Sequence, residues 1–279
     1  MTKLSDAPIL SQDLLEYLKS QDDFDLELFV ARTAKGCGFQ VTHGGSYEDP
    51  ITGKARQYDV RASYGGRSRS IELAIECKAL QRSYPLLVSR IPRTLDESFH
   101  ELIHARYPPA SALPGAESSD TVRLVGPRSI YWQGGYVGKS TAQVGRNEKG
   151  EIKSADREVY DKWSQALSSA SDLISRAAWA HQERGVHSFL TVILPFLVVS
   201  DDTLWVADYS EEGVLQADPY QVEETTIFVD HRDGPHMGPA FCMTHLHVCT
   251  RSHVKPMLTD LAKRSGSWTR IYPPQASAT

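Results

Sequence analysis

Two neighbouring stretches decide the reading of this sequence: Arg56-Gln57-Tyr58-Asp59-Val60-Arg61-Ala62-Ser63-Tyr64 and Ser70-Ile71-Glu72-Leu73-Ala74-Ile75-Glu76-Cys77-Lys78-Ala79-Leu80. In the second, Ile71, Leu73, Ile75 and Cys77 alternate with Glu72, Ala74, Glu76 and Lys78. Period two is the signature of a strand with one buried face. Gly65-Gly66 between the stretches predicts a tight reversal, so the two strands pair antiparallel. Residues i and i+2 of a strand share a face, which places Glu76 and Lys78 together. Asp59, on the partner strand, can fold back beside them.

Working outward, residues 9–20 predict a short helix with Leu14, Leu15 and Leu18 on one side. Asp22-Asp23 offers capping chemistry for a second helix, about Phe24 to Lys35, which Gly36 and Gly38 end. Phe39 to His43 reads as a first strand and Gly44 to Lys54 as a turn-like stretch. After Leu80, Tyr84 to Val88 reads as extended. Residues 107–120 and 131–150 read as loops. Trp163, Ala166, Leu167, Ala170, Leu173, Ile174 and Ala177 recur at helical spacing between about Glu158 and Gln182. Strands follow at Phe189–Val199, Leu204–Tyr209, Thr226–Val229 and Ala240–Thr250, then a helix from Val254 to Arg264. The expectation is one α/β domain over 1–279: a core motif region at 24–95, a loop-rich insertion at about 100–155, and a C-terminal helix and strands at 156–265.

The 279 residues are 41% hydrophobic and 23% charged, which excludes collagenous, coiled-coil and disordered classes. Four scattered cysteines do not make a secreted disulfide framework, so a cytoplasmic location is expected. The longest apolar run, Phe189 to Val199, is shorter than the ~20 residues of a membrane span, so no membrane partner is expected. Net charge is −5, but residues 51–95 hold nine Lys or Arg against three acids. Residues 201–230 hold nine acids and no Lys or Arg. An acidic chain with one basic stretch can still carry a local polyanion site.

Two carboxylates side by side repel unless a cation sits between them. Hard oxygen ligands suit Mg²⁺ or Mn²⁺, which can hold a phosphoryl oxygen and activate water. A neighbouring lysine can orient that water or stabilise charge developing on phosphate. Phosphodiester hydrolysis is chemistry of this type. The alternative is a ladder of surface ion pairs on an exposed strand face.

The order helix, strand, strand with Asp59, strand with Glu76-Cys77-Lys78 resembles the PD-(D/E)xK nuclease superfamily, the restriction-endonuclease-like fold. Tyr47-x-Asp49, Arg56-x-x-Asp59, Ile75-Glu76-Cys77-Lys78 and Tyr84-Pro85 look like a poorly characterised bacterial group with that core. Leu194-Pro195-Phe196-Leu197-Val198-Val199 followed by Leu204-Trp205 is similar to it more loosely. Tyr58 stands where the naming motif has proline. The resemblance implies a mixed central sheet flanked by helices and a metal-dependent nuclease, acting on DNA rather than RNA. It makes Asp59, Glu76 and the Cys77 backbone carbonyl ligands of Mg²⁺ or Mn²⁺. It makes Lys78 the catalytic lysine and Glu27 a helix acid supporting the metal. Lys54, Arg56, Arg61 and Arg82, with Arg67, Arg69, Arg90 and Arg93, flank the site and are candidates for phosphate contacts. A homodimer or a protein partner is compatible with this reading. So is a catalytically silent module on the same fold that binds nucleic acid or protein.

His245, His247 and Cys249 alternate on one strand and, with Cys242, His231, His236 or His253, raise the question of zinc. Their spacing differs from the common structural sites, so a packed strand face is expected. Gln133 to Ser140 reads as a glycine-rich loop rather than a phosphate-binding one, because glycine is missing at its first position.

Overall fold

The computed structural model describes residues 6–20, 23–49, 52–66, 68–106, 118–131, 135–155, 157–177, 188–233 and 241–268. Helices α1 (Ser11–Ser20) and α2 (Phe24–Gly36) lead into strands β1 (Gln40–Glu48), β2 (Ala55–Gly65) and β3 (Arg69–Lys78). Then come β4 (Leu86–Pro92), β5 (Phe99–Arg106), β6 (Ser118–Val125), β7 (Tyr136–Arg146) and β8 (Ile152–Ala155). Helix α3 (Arg157–Ala177) precedes β9 (Ser188–Val199), β10 (Leu204–Asp208), β11 (Tyr220–Gln221), β12 (Glu224–Asp233), β13 (Phe241–Thr250) and α4 (Val254–Trp268). The protein is thus α/β, and its described residues form one mixed sheet of 13 strands in the order β1-β2-β3-β9-β13-β12-β7-β4-β10-β11. β5 branches from β9 and carries β6, and β8 pairs with β7.

The β2–β3 hairpin forms as the alternation predicts, from Val60 opposite Ile75 to Gly65 opposite Ser70. Gly65 is required there, because a Cβ would overlap the Arg69 carbonyl oxygen. β3 runs parallel to β9 over its whole length. Ile71, Leu73, Ile75 and Cys77 pack against Leu26, Val30 and Ala34 of α2 and Val254, Leu258 and Leu261 of α4. On the opposite face Ala74 joins Leu167, Ala170 and Ile174 of α3. Each helix buries its apolar stripe against one side of the sheet. α1 differs: Leu14, Leu15 and Leu18 remain exposed.

Proline is rare inside sheets because it lacks a ladder donor, yet Pro195 lies within β9, opposite Ala74 of β3. The N–H of Leu190 points to the β3 side, towards the Ser68 carbonyl. By strand alternation the nitrogen of Pro195 points to the other side. There β5 pairs only as far as Thr191 and β13 begins only at Phe196, so no ladder bond is lost.

The expected loop-rich insertion at 100–155 is corrected: its described part is largely strand, with β5, β6, β7 and β8. Two of the glycines that suggested a loop at 131–150, Gly138 and Gly145, serve close packing. A Cβ on Gly138 would crowd Val88 and Ile227 of the flanking strands, and one on Gly145 would crowd the Tyr84 ring. β1 likewise runs on through Gly44-Gly45 to Glu48, and β12 extends beyond Thr226–Val229 at both ends. Gln133, Gly134 and the expected loop at 107–117 lie outside the described residues, as do Arg67 and His236. No helix among the described residues is long and apolar enough to cross a membrane.

The strand histidines sit among protein groups. His245 stacks on Tyr131 with ring centroids 3.7 Å apart, and His247 accepts or donates a 2.7 Å bond to the Tyr131 hydroxyl. Cys249 faces the α2–α4 core, and the Cys242 thiol donates to Asp230. Burial pushes His100 down to about 3 and His245 down to about 2, with Arg93 adding to the second shift. Both rings are therefore neutral in the folded protein, while an unfolded chain takes up protons below about pH 6.5. The unfolded state then binds more protons, so stability is lost as pH falls through that value. Burial likewise pushes His247 down to about 3, so between pH 6.5 and 5 urea unfolding is expected to show a loss approaching 1.4 kcal/mol per pH unit for each of the three histidines, about the linkage limit. A flat profile over that window would mean that the rings accept protons in place.

Candidate active site

The hairpin register sets the site. One step beyond the last Val60–Ile75 pair, Asp59 lies beside Glu76, and side chains take over from the ladder. The Cys77 N–H donates to Asp59 Oδ2 at 2.8 Å, and the Asp59 N–H donates to Glu76 Oε1 at 3.4 Å. On an extended strand the N–H and C=O of one residue leave to the same side, so the Cys77 carbonyl also faces Asp59. Glu76 has no exposed surface. Its Oε2 is buried and has no hydrogen-bond partner.

Positive charge reaches this pair from α3. Lys162 Nζ lies 2.9 Å from Asp59 Oδ2, 3.6 Å from Glu76 Oε2 and 3.8 Å from Asp23 Oδ2. Lys78 Nζ is 3.7 Å from Asp23 Oδ2 and partly exposed. Asp23 thereby differs from its expected role as a capping side chain. It stands at the start of α2 but makes no cap bond. Its Oδ1 instead accepts the Ala79 N–H at 2.6 Å, just past the end of β3. Three acids and two lysines thus meet where the N-termini of α2 and α3 reach the ends of β2 and β3.

The electrostatics follow from burial. Glu76 is held well above the usual carboxylate range, first by burial and then by the negative charge of Asp59. For Lys162 burial pulls downward, but Asp59, Glu76 and Asp23 outweigh it and keep the ammonium protonated. Glu27 is raised by burial and by Asp59, opposed by His43, whose Nε2 is 3.0 Å from Glu27 Oε2. Glu27 therefore borders the cluster rather than joining its centre.

The donor set fits a hard dication. Asp59 and Glu76 supply carboxylate oxygens, one of them unsatisfied, and the Cys77 carbonyl faces the same side. The Lys162 ammonium supplies the positive charge in the same place. Neither Lys162 nor Asp23 was among the sequence candidates for the site. Lys162 is 103 residues from Asp59 and reads in sequence as a polar position on an amphipathic helix.

The cations expected to meet phosphate divide. Lys54 is exposed. Arg56 is partly exposed and pairs with buried Asp49 at 2.6 Å. Arg82 is on the surface, paired with Asp202. Arg61 is a correction: it points under α3, where it bonds Asp172 at 2.7 Å and Ser169 at 3.1 Å, and it is buried. The rings of Tyr47 and Tyr58 cover its guanidinium. A cation so enclosed holds α3 to β2 and is not offered to a strand of nucleic acid. Arg61→Met strands Asp172 with only the more exposed Arg176, so urea unfolding is expected to show a loss of about 3 kcal/mol. A loss under 1 kcal/mol would mean that the pair contributes little.

No family model matches this chain, and neither a curated protein nor a solved structure matches it.

Proposed function

We propose that this protein is a metal-dependent nuclease that hydrolyses phosphodiester bonds, in DNA rather than RNA, on a restriction-endonuclease-like core. The observation that carries the reading is the pairing of Asp59 with fully buried Glu76, whose Oε2 has no hydrogen-bond partner. A buried carboxylate oxygen with no hydrogen bond, and only the Lys162 ammonium 3.6 Å away, is costly, so its retention argues for a cation ligand. The order of α2, β1, β2 with Asp59, and β3 with Glu76 and Lys78 supports the core. Asp59, Glu76 and the Cys77 carbonyl would hold Mg²⁺ or Mn²⁺. Such an ion supplies a Lewis acid for the phosphoryl oxygen and lowers the proton affinity of a bound water.

The chain's own groups do the rest. Lys78 is tethered by Asp23 and partly exposed, so its ammonium can hold the attacking water or the charge growing on phosphate. Glu27 buttresses the acidic side. Lys54, Arg56 and Arg82 remain as exposed or partly exposed cations for backbone phosphates. Lys162 favours the second reading, a silent module on the same fold. Its ammonium already neutralises the carboxylates, as a structural ion pair would.

The decisive assay incubates the chain with plasmid, linear and single-stranded DNA in Mg²⁺, Mn²⁺ or EDTA, beside Asp59→Asn and Glu76→Gln. Metal-dependent cutting is expected, abolished by either substitution while the circular dichroism spectrum is kept. Full activity in either variant would overturn the assignment. Calorimetry with Mn²⁺ separates the second reading. In the nuclease the wild type binds Mn²⁺, and Lys162→Met binds it more tightly because a competing ammonium is gone. In a silent module neither form binds it.

A further inference from the structure

On the α4 side of the sheet, opposite the face that α3 covers, lies a cleft of about 730 Å³. Its wall includes Arg93, Tyr131, Tyr136, Thr226, His247 and Glu224. Arg93, just beyond β4, gives the cleft its chemistry. Its Nη1 donates to the Tyr131 carbonyl at 3.4 Å and contacts His245 Nε2 at 3.1 Å. Its Nη2 donates to the Thr226 hydroxyl at 2.7 Å. Its Nε is buried and has no hydrogen-bond partner. All of these partners are neutral, and among the described residues Arg93 forms no ion pair.

That is an unusual state for a guanidinium, which stays charged wherever it is placed. Removing a cation from water without an anion is costly. The one carboxylate whose field reaches Arg93 is Glu97, which forms no ion pair with it and is already matched by Lys139. Burial pushes His245 down to about 2 and His247 down to about 3, so both are neutral, and it holds the Tyr131 hydroxyl protonated. The Tyr131 ring lies 5.5 Å from the guanidinium, an attraction of the ring face that supplies no net charge. Other enclosed arginines are matched within the chain. Arg90, on the same cleft, grips Asp208 with two bonds of 2.7 and 3.0 Å, and Arg61 has Asp172.

We infer that this cleft is a binding site for a small ligand bearing one oxyanion, a carboxylate or a phosphate, and that Arg93 supplies its countercharge. The planar fork of arginine suits either group. The acidic mouth narrows the class. Glu224 and Asp260 line the cleft, and His253 stands between Glu223 and Glu224 at 3.1 and 3.3 Å. A nucleic-acid strand, with a charge at every phosphate, is repelled there, whereas a ligand with a single anionic head and a neutral or cationic body is admitted. The aromatic rings of Tyr131 and Tyr136 offer that body a flat wall. The inference does not depend on the chemistry of Asp59 and Glu76, which lie on the other side of the sheet.

The test uses the full chain, titrated with inorganic phosphate and with acetate against chloride at matched ionic strength, read by thermal unfolding and by calorimetry. A saturable rise in Tm with at least one oxyanion is expected, and the more effective one identifies the head group. Arg93→Met is expected to weaken that binding about tenfold or more, the value of a charged hydrogen bond. Without ligand its Tm should equal or exceed that of the wild type, since a half-buried cation without an ion pair has gone. Should Arg93→Met fail to fold, Arg93→Lys keeps the charge, loses the fork and binds more weakly. No saturable response of the wild type to either anion, or an unchanged response in the folded variant, would overturn the site.

Discussion

Two carboxylates held side by side at the end of the β2–β3 hairpin need positive charge, and the meeting of α2 and α3 answers that need. Glu76 is wholly buried and Asp59 lies against it. Without a cation their repulsion, in a medium that screens poorly, would push the hairpin apart or force a proton onto one of them. Lys162 crosses from α3 to the pair, while Asp23 draws Lys78 and the end of β3 towards the start of α2. The same contacts that neutralise the site therefore fasten helices from both faces to the ends of the central strands.

The buried and half-buried arginines obey the same constraint with different outcomes. Arg61 has a full set of partners and acts as a clamp between β2 and α3. Arg90 joins β4 to β10 through Asp208. Arg93 has hydrogen bonds but, among the described residues, no ion pair. Structural ion pairs close their accounts inside the chain; a cation left open in a cleft points outward, to a ligand. The contrast also explains why a run of basic residues in sequence is a poor guide to a nucleic-acid surface. Of the nine cations between 51 and 95, Arg61 and Arg90 are committed to internal acids.

Much of the central architecture was legible. The alternation from Ile71 to Lys78, the Gly65-Gly66 turn and the helical spacing from Trp163 to Ala177 each correspond to an observed element. The apolar run 189–199 is a buried strand despite Pro195, because the sheet forks beside it. The middle of the chain was misread where glycine serves two purposes. Gly138 and Gly145 looked like loop residues, but in β7 they admit side chains from the flanking strands and from Tyr84, just before β4. Only the identity of those neighbours distinguishes the two uses.

For the candidate site, sequence alone determined that Asp59, Glu76 and Lys78 would come together, because a two-residue period and a tight turn are local properties of the backbone. Tertiary structure alone decided which cation meets the carboxylates. Lys162 arrives from 103 residues away, and nothing in its own surroundings marks it. It also decided that Arg61 is internal and that Arg93, among the described residues, has no ion pair. Pairing of buried charges depends on which faces are packed against each other, and that is a property of the assembled sheet and helices rather than of any stretch of chain.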